Sequence, residues 1–472
     1  MKRVAVLAVL VLAAMIALFW RGSTLAGKTG VSLLITGGTV VTMDESGTVI
    51  TNGAVAINGN AIVAVGAAGD LDARYSARDR IDARGQIVMP GLINTHTHAP
   101  MVLFRGLADD LALMDWLTQY IFPAEKATVS PEFVRVGTRL AALEMIESGT
   151  TTYADMYYFE EVIAEATKGA GLRAVLGQTI IKFPVADAAT PEEALNRTGV
   201  FLREWANDEL IVPAVAPHAP YTLTPDTLKS ARALANAYRA PMLIHLAETR
   251  DEVDTLAKEH QASPAMFLDS LGLWNGRSLA AHAVWVDEAD MTMLAARGVG
   301  LSHNPESNMK LASGTAPIPA WLTHGIRAGL GTDGAASNND LDMFEAMRTA
   351  ALLHKHATGD PRVLPARQAL ELATSRGAAA LGLEGKIGTL QAGKLADVIT
   401  VSTSSARQTP MFDPLSHLVY VTRGTDVRTT VVNGRVLMRE GRVLTLDRGT
   451  VIKEANAMAQ KVRAAVSKGA GQ

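Results

Sequence analysis

Between residue 88 and about residue 330 the chain repeats one unit, a short apolar run followed by a turn and then by helical periodicity. Runs fall at 150–154, 174–176, 210–215, 241–244, 278–281, 298–301 and 327–330, and the run 86–89 ahead of His96 makes eight. Apolar runs without alternation are what parallel strands buried on both faces require, and the helical stretches supply the crossovers. One such stretch spans 131–145, with Ser130 as N-cap and Pro131 at the first helical position, and another spans 226–238. Eight β–α repeats predict an α/β fold, a (β/α)8 TIM barrel over residues 88–392.

The two ends have a different texture. From Val31 to Ile87 short strands are broken at Gly37-Gly38 and Asn58-Gly59-Asn60, and strand-like runs return at 396–401 and 429–437. This pattern predicts a small β-sandwich domain built from both termini, over 31–87 and 393–450. At 472 residues the chain has room for both units.

Composition removes several functions. A net charge of −3 offers no electrostatic footing for nucleic acid. The absence of cysteine excludes disulfides, thiolate ligands, a cysteine nucleophile and the zinc deaminases built on Pro-Cys-x-x-Cys. At the N-terminus Lys2 and Arg3 precede an apolar stretch, residues 4–20, that ends at Arg21. Residues 1–26 read as a signal peptide, with Thr24-Leu25-Ala26 as a cleavage site, or as an N-terminal membrane anchor through 4–20. The folded part is then exported, periplasmic or otherwise extracytoplasmic, and touches membrane only through that segment.

In a barrel of this type chemistry sits where strands end. His96, His98, His218, His245, His282, His303 and Asp333 all follow apolar runs. In an extended segment alternate side chains share a face, so His96 and His98 can address one metal ion, and imidazole suits zinc. The motif 329–334 also matches GxGxxG, but no acid follows at the spacing a dinucleotide site needs, where His354 stands. A tight strand-end turn accounts for the same glycines.

The segments Asn94-Thr95-His96-Thr97-His98-Ala99-Pro100-Met101, Pro217-His218-Ala219-Pro220-Tyr221, His245-Leu246-Ala247-Glu248-Thr249, Ser302-His303-Asn304-Pro305-Glu306-Ser307-Asn308 and Gly331-Thr332-Asp333-Gly334 resemble the amidohydrolase superfamily. Within it they are most similar to the deaminases of methylthioadenosine and S-adenosylhomocysteine. The resemblance covers nearly all of the chain after the leader. It implies one divalent metal ion, Zn2+ first and Fe2+ or Mn2+ as alternatives, held by His96, His98, His245 and Asp333. It implies catalytic roles for Glu248 as proton shuttle, His282 as the group that orients water, and Asp333. It places Trp116, Glu125, His218 and Glu248 against the substrate, with Glu125 on ribose hydroxyls.

One departure stands out. Gln178 occupies a position where the family carries arginine, and the loop through 184–190 has none, leaving Lys182 as the nearby cation. A neutral substrate side group is therefore expected to be preferred over a zwitterionic one. The expected function is metal-dependent hydrolytic deamination of an amino-substituted purine nucleoside such as methylthioadenosine, adenosine or S-adenosylhomocysteine. The alternatives are hydrolysis of a cyclic amide or triazine-type heterocycle, and a non-catalytic metal-stabilised binding protein. The partner is a small molecule, and a homo-oligomer is left open.

Overall fold

The computed structural model describes residues 27–469, so residues 1–26, expected above to be a signal peptide or membrane anchor, lie outside the described residues. Among the described residues, seventeen strands fall into two sheets. The barrel is formed by β6 (Leu92–Thr97), β7 (Thr150–Tyr157), β8 (Arg173–Ile180), β9 (Ile211–Pro217), β10 (Met242–Leu246), β11 (Ser278–His282), β12 (Gly300–His303) and β13 (Arg327–Leu330), neighbours in chain order and parallel throughout. Between most of them run helices, among them Pro131–Ser148, which Ser130 caps by accepting the Phe133 amide and which Gly149 ends in a left-handed turn (φ 87°).

Closure between the first and last barrel strands depends on small residues. A Cβ on Gly329 would lie 2.4 Å from the Thr95 side chain, and one on Gly331 would lie 2.9 Å from His96 Cβ. Asn94 ties the two strands at the top, donating to Thr332 Oγ1 (2.7 Å) and accepting from the Thr332 amide (3.1 Å). Inside, Ile93, Val175, Leu243 and Leu279 pack as one apolar cluster in the barrel.

The second sheet has nine strands. From the N-terminal side come β1 (Thr29–Val41), β2 (Val49–Asn58), β3 (Ala61–Ala67), β4 (Tyr75–Asp82) and β5 (Gln86–Pro90). From the C-terminal side come β14 (Val398–Ser402), β15 (Val427–Val432), β16 (Arg435–Arg439) and β17 (Arg442–Val443). Leu33, Ile35, Val55, Ile57, Val88, Val398 and Val431 pack together as one apolar cluster linking both ends of the chain.

The run 86–89, counted above as a barrel strand, belongs here. Met89 pairs with Ile399 and Val88 with Val40. The Pro90-Gly91 bend then starts a separate strand, β6, that itself carries His96. The chain also ends in a long helix, Arg448–Gly469, that lies on Pro131–Ser148 with Arg139 paired to Glu454. No described helix is long and apolar enough to cross a membrane.

Candidate active site

Four strand ends converge at the top of the barrel. β6 brings His96 and, one residue beyond its end, His98; β10 brings His245, β11 ends on His282, and Asp333 follows β13. Asp333 Oδ1 lies 3.3 Å from His96 Nε2 and 3.4 Å from His98 Nε2, and His98 Nε2 lies 3.3 Å from His245 Nε2. The ligand atoms of His96, His98 and His245 lie within 4.8 Å of one another, as do those of His96, His282 and Asp333.

The donors fit a cation. His96 Nε2 is buried and makes no hydrogen bond, although it faces this centre. His98 Nδ1 meets the Met156 carbonyl and His245 Nδ1 the His218 carbonyl, both at 2.7 Å. A ring that donates from Nδ1 to a carbonyl keeps its Nε2 lone pair free, which is how metal-binding histidines are normally held. Burial lowers the His96 pKa to about 4 and that of His245 well below its usual value, so both rings are neutral, as ligands must be. Burial alone would raise Asp333, but the facing imidazoles hold its carboxyl well below the usual range.

Aim is achieved by unusual backbone. Ala247, His282, Ala283 and Asp333 all adopt left-handed conformations, with φ of 46°, 70°, 43° and 62°. Such a conformation in a non-glycine residue is uncommon and is held only when surroundings fix it. Asp333 is fixed by Ser307 and Ser337, which donate to Oδ2 at 2.7 and 3.0 Å, and by the Gly334 amide on Oδ1 at 2.8 Å. The glycines of 329–334 thus serve the close approach of β13 to β6, while the left-handed turn falls on Asp333 itself.

Glu248 is buried, with Oε2 3.8 Å from His282 Nε2. Burial raises its pKa, so it can hold or release a proton nearer neutrality than a solvated glutamate. For His282 burial opposes the charged form, but the Glu248 and Asp333 carboxylates outweigh it and the pKa is raised. Its Nδ1 is 2.9 Å from Asn308 Oδ1, which orients the ring with Nε2 toward the two carboxylates.

These groups open into a cavity of about 620 Å³. His98, His245, Glu248, His282 and Asp333 form one end of its lining. Trp116, Glu125 and His218 line it too, beside Met101, Leu113, Leu117, Ile121, Phe122 and Leu311. Trp116 and Ile121 reach the same wall although five residues apart, because the turn Trp116–Ile121 is wound as a π-helix. Glu125 accepts from Tyr157 Oη at 2.7 Å, and burial raises its pKa to about 7. Burial also lowers His218, to about 3.

Three supporting residues escaped the sequence reading. Tyr157 is one. Asp155, buried at the middle of β7, accepts from Thr97 Oγ1 (2.6 Å) and the Ala99 amide (2.5 Å) on either side of His98. Glu252 binds the backbone around Glu248. Only the last had a local signal, the Thr249-x-x-Glu252 spacing of a helix start.

Two expectations need correction. Gln178 does not face the cavity: Nε2 donates to Asp187 Oδ2 at 2.7 Å and Oε1 accepts the Glu160 amide at 3.4 Å, on the helix side of β8. Its neighbour Thr179 lines the cavity instead. Lys182 bonds the Tyr221 carbonyl and is not in the lining either. His303 also points away, with Nε2 3.1 Å from His354 Nε2.

Comparison with known proteins places the chain among amidohydrolases. The profile of the amidohydrolase family matches residues 87–437. A 5-methylthioadenosine/S-adenosylhomocysteine deaminase of Syntrophobacter fumaroxidans is 46% identical over 93% of this chain and 100% of its own length. A 5'-deoxyadenosine deaminase of Methanosarcina mazei is 45% identical over 92% of this chain and 99% of its own. An adenosine deaminase of Xanthomonas campestris, solved with bound zinc, superposes with a TM-score of 0.91 at 39% identity, covering 93% of this chain and all of that one.

Proposed function

The chain belongs to the amidohydrolase family, and from that premise we propose that it is a metal-dependent hydrolase that deaminates adenine nucleosides, releasing ammonia. The observation that carries the reading is the meeting of a histidine cluster, a buried Glu248 and a cavity at one strand-end face. His96, His98, His245 and Asp333 would hold one divalent ion, with zinc the natural occupant for three imidazoles and a carboxylate. When bound, such an ion brings the pKa of water down to about 7 and so makes hydroxide available at neutral pH.

The chain's own residues do the rest. His282 orients the attacking oxygen toward the ring carbon that bears the amino group. Glu248 accepts a proton from the attacking water and passes it to the adjacent ring nitrogen, which breaks aromaticity at that bond. Asp333 carries the remaining proton to the departing amine, and ammonia leaves. Trp116, His218 and Glu125 hold the nucleoside, with Glu125 accepting from ribose hydroxyls. Among the described residues no lysine or arginine lines the cavity, whose wall includes Leu113, Leu117, Ile121, Phe122 and Leu311. A neutral 5'-group such as methylthio or hydrogen is therefore preferred over a zwitterionic homocysteine tail. The leader adds that the enzyme works outside the cytoplasmic membrane, which fractionation of a tagged full-length chain tests.

The deciding experiment is ammonia release by the zinc-loaded protein from methylthioadenosine, 5'-deoxyadenosine, adenosine and S-adenosylhomocysteine. Turnover of the first three, each exceeding the last in kcat/KM, is the expected result. No ammonia from any nucleoside overturns the proposal.

A further inference from the structure

Glu248 has almost nothing to aim it. Among the described residues, the only side-chain hydrogen bond to its carboxylate is a long one from Ser313 Oγ, at 3.5 Å. Its direction must come from its backbone, and that backbone is held by Glu252. Thr249 caps the helix Arg250–His260 by accepting the Glu252 amide. In the usual reciprocal cap, the third helical residue reaches back to the amide of the capping residue. Glu252 reaches further: Oε1 accepts the Ala247 amide at 2.9 Å and Oε2 the Glu248 amide at 2.8 Å. Both oxygens of one buried carboxylate are thus spent on two consecutive amides.

Those amides flank a strained point, because Ala247 is left-handed with φ 46°. The opposite side of the turn is tied by carbonyls, Leu246 O accepting the Ala283 amide and Ala247 O the Trp285 amide. Release of the amide side would free the turn toward extended backbone and swing Glu248 away from His282. We propose that Glu252 is the positioning residue that fixes Glu248 for proton transfer. The proposal rests on the reading of Glu248 given above.

The test uses Glu252→Gln and Glu252→Ala in the zinc-loaded full chain, with kcat, KM and metal content measured on the best nucleoside. An amide oxygen can accept one of the two N–H groups, but its NH2 then faces the other. We expect kcat to fall roughly ten- to hundredfold in Glu252→Ala, the scale for a catalytic group displaced by about 1 Å, and less in Glu252→Gln. KM should stay within about threefold and metal content unchanged, a split that general loosening of the fold would not produce. A kcat within fivefold of the parent in both variants overturns the proposal, and so does parallel loss of metal. If Glu252→Ala fails to fold, Glu252→Gln decides alone. Glu248→Gln run alongside separates the two readings: if it stays active, the proton-relay reading falls and this one with it. If it is inactive while the Glu252 variants keep full activity, only this one falls.

Discussion

The rim of the barrel and the terminal sheet place strain and polarity in opposite ways. In the sheet, left-handed backbone falls largely on residues that tolerate it, at Gly37, Gly59, Asn433 and Gly434. Its interior is aliphatic, from Leu33 and Ile57 to Val431. At the rim, left-handed backbone falls on Ala247, His282, Ala283 and Asp333, and the buried side chains are histidines and carboxylates. A region built for burial keeps its backbone mostly relaxed, Met43 and Glu440 being its exceptions. A region built to aim side chains accepts strain and costly desolvation where the aim demands it. Substitutions should therefore separate cleanly, with the rim governing turnover and the sheet governing stability.

The sharpest break of that division would come from the metal. Chelation followed by dialysis should abolish ammonia release, by at least about 10³-fold given the several kcal/mol a catalytic ion supplies. Zinc should restore it, with close to one equivalent bound per chain. Metal-free protein with full activity would remove the rim's claim to the chemistry. Next in size, Glu248→Gln should keep the metal and lose about 10²–10⁴-fold in kcat, the usual worth of a positioned acid–base group. A loss under about tenfold would leave Glu248 a bystander.

How much of this contrast could be read in the sequence follows from the same physics. Seven of the eight barrel strands announced themselves as apolar runs, and the histidines and aspartate stood out because they follow closely on such runs. The strand at 86–89 looked identical to its neighbours, since a strand buried on both faces does not say which sheet it joins. The same two-sided burial hid the facing of Gln178. With no alternation along β8, nothing in the sequence tells that Thr179 points inward and Gln178 outward. Asp155 and Tyr157 were silent because their partners, Ala99 and Glu125, lie 56 and 32 residues away.

The sheet's half of the comparison is tested at Ile57, fully buried among strands from both ends of the chain. Ile57→Ala should cost about 2–5 kcal/mol of unfolding free energy by denaturant titration. The kcat and KM of the folded fraction should not change. A drop in kcat without a drop in stability would show that the sheet shapes the active site as well as supporting it.

The smallest effect sits where the two logics meet, at Glu125, a buried carboxyl in the cavity wall that accepts a hydrogen bond from Tyr157. Its pKa is raised from 4.5 to about 7, with burial as the main cause and the Tyr157 hydrogen bond pulling the other way. Because the folded state holds this proton more tightly than the unfolded chain, the group's contribution to stability declines as pH rises from 4.5 toward 7. Its value to binding runs in the opposite direction, since only the carboxylate accepts from both hydroxyls of a ribose. KM for a nucleoside should therefore rise as pH falls below about 7, by roughly tenfold at pH 6, if binding requires the ionised form. Tyr157→Phe removes the donor that favours ionisation and should move that limb to higher pH. Glu125→Gln should flatten it at a uniformly higher KM. Steady-state kinetics from pH 6 to 8 on adenosine and on its 2',3'-dideoxy analogue reads all three, because the analogue offers Glu125 no hydroxyl and should show no limb. A KM for adenosine that stays flat across that range would mean that Glu125 is strain kept for packing, and the division between rim and sheet would have to be redrawn through the cavity wall itself.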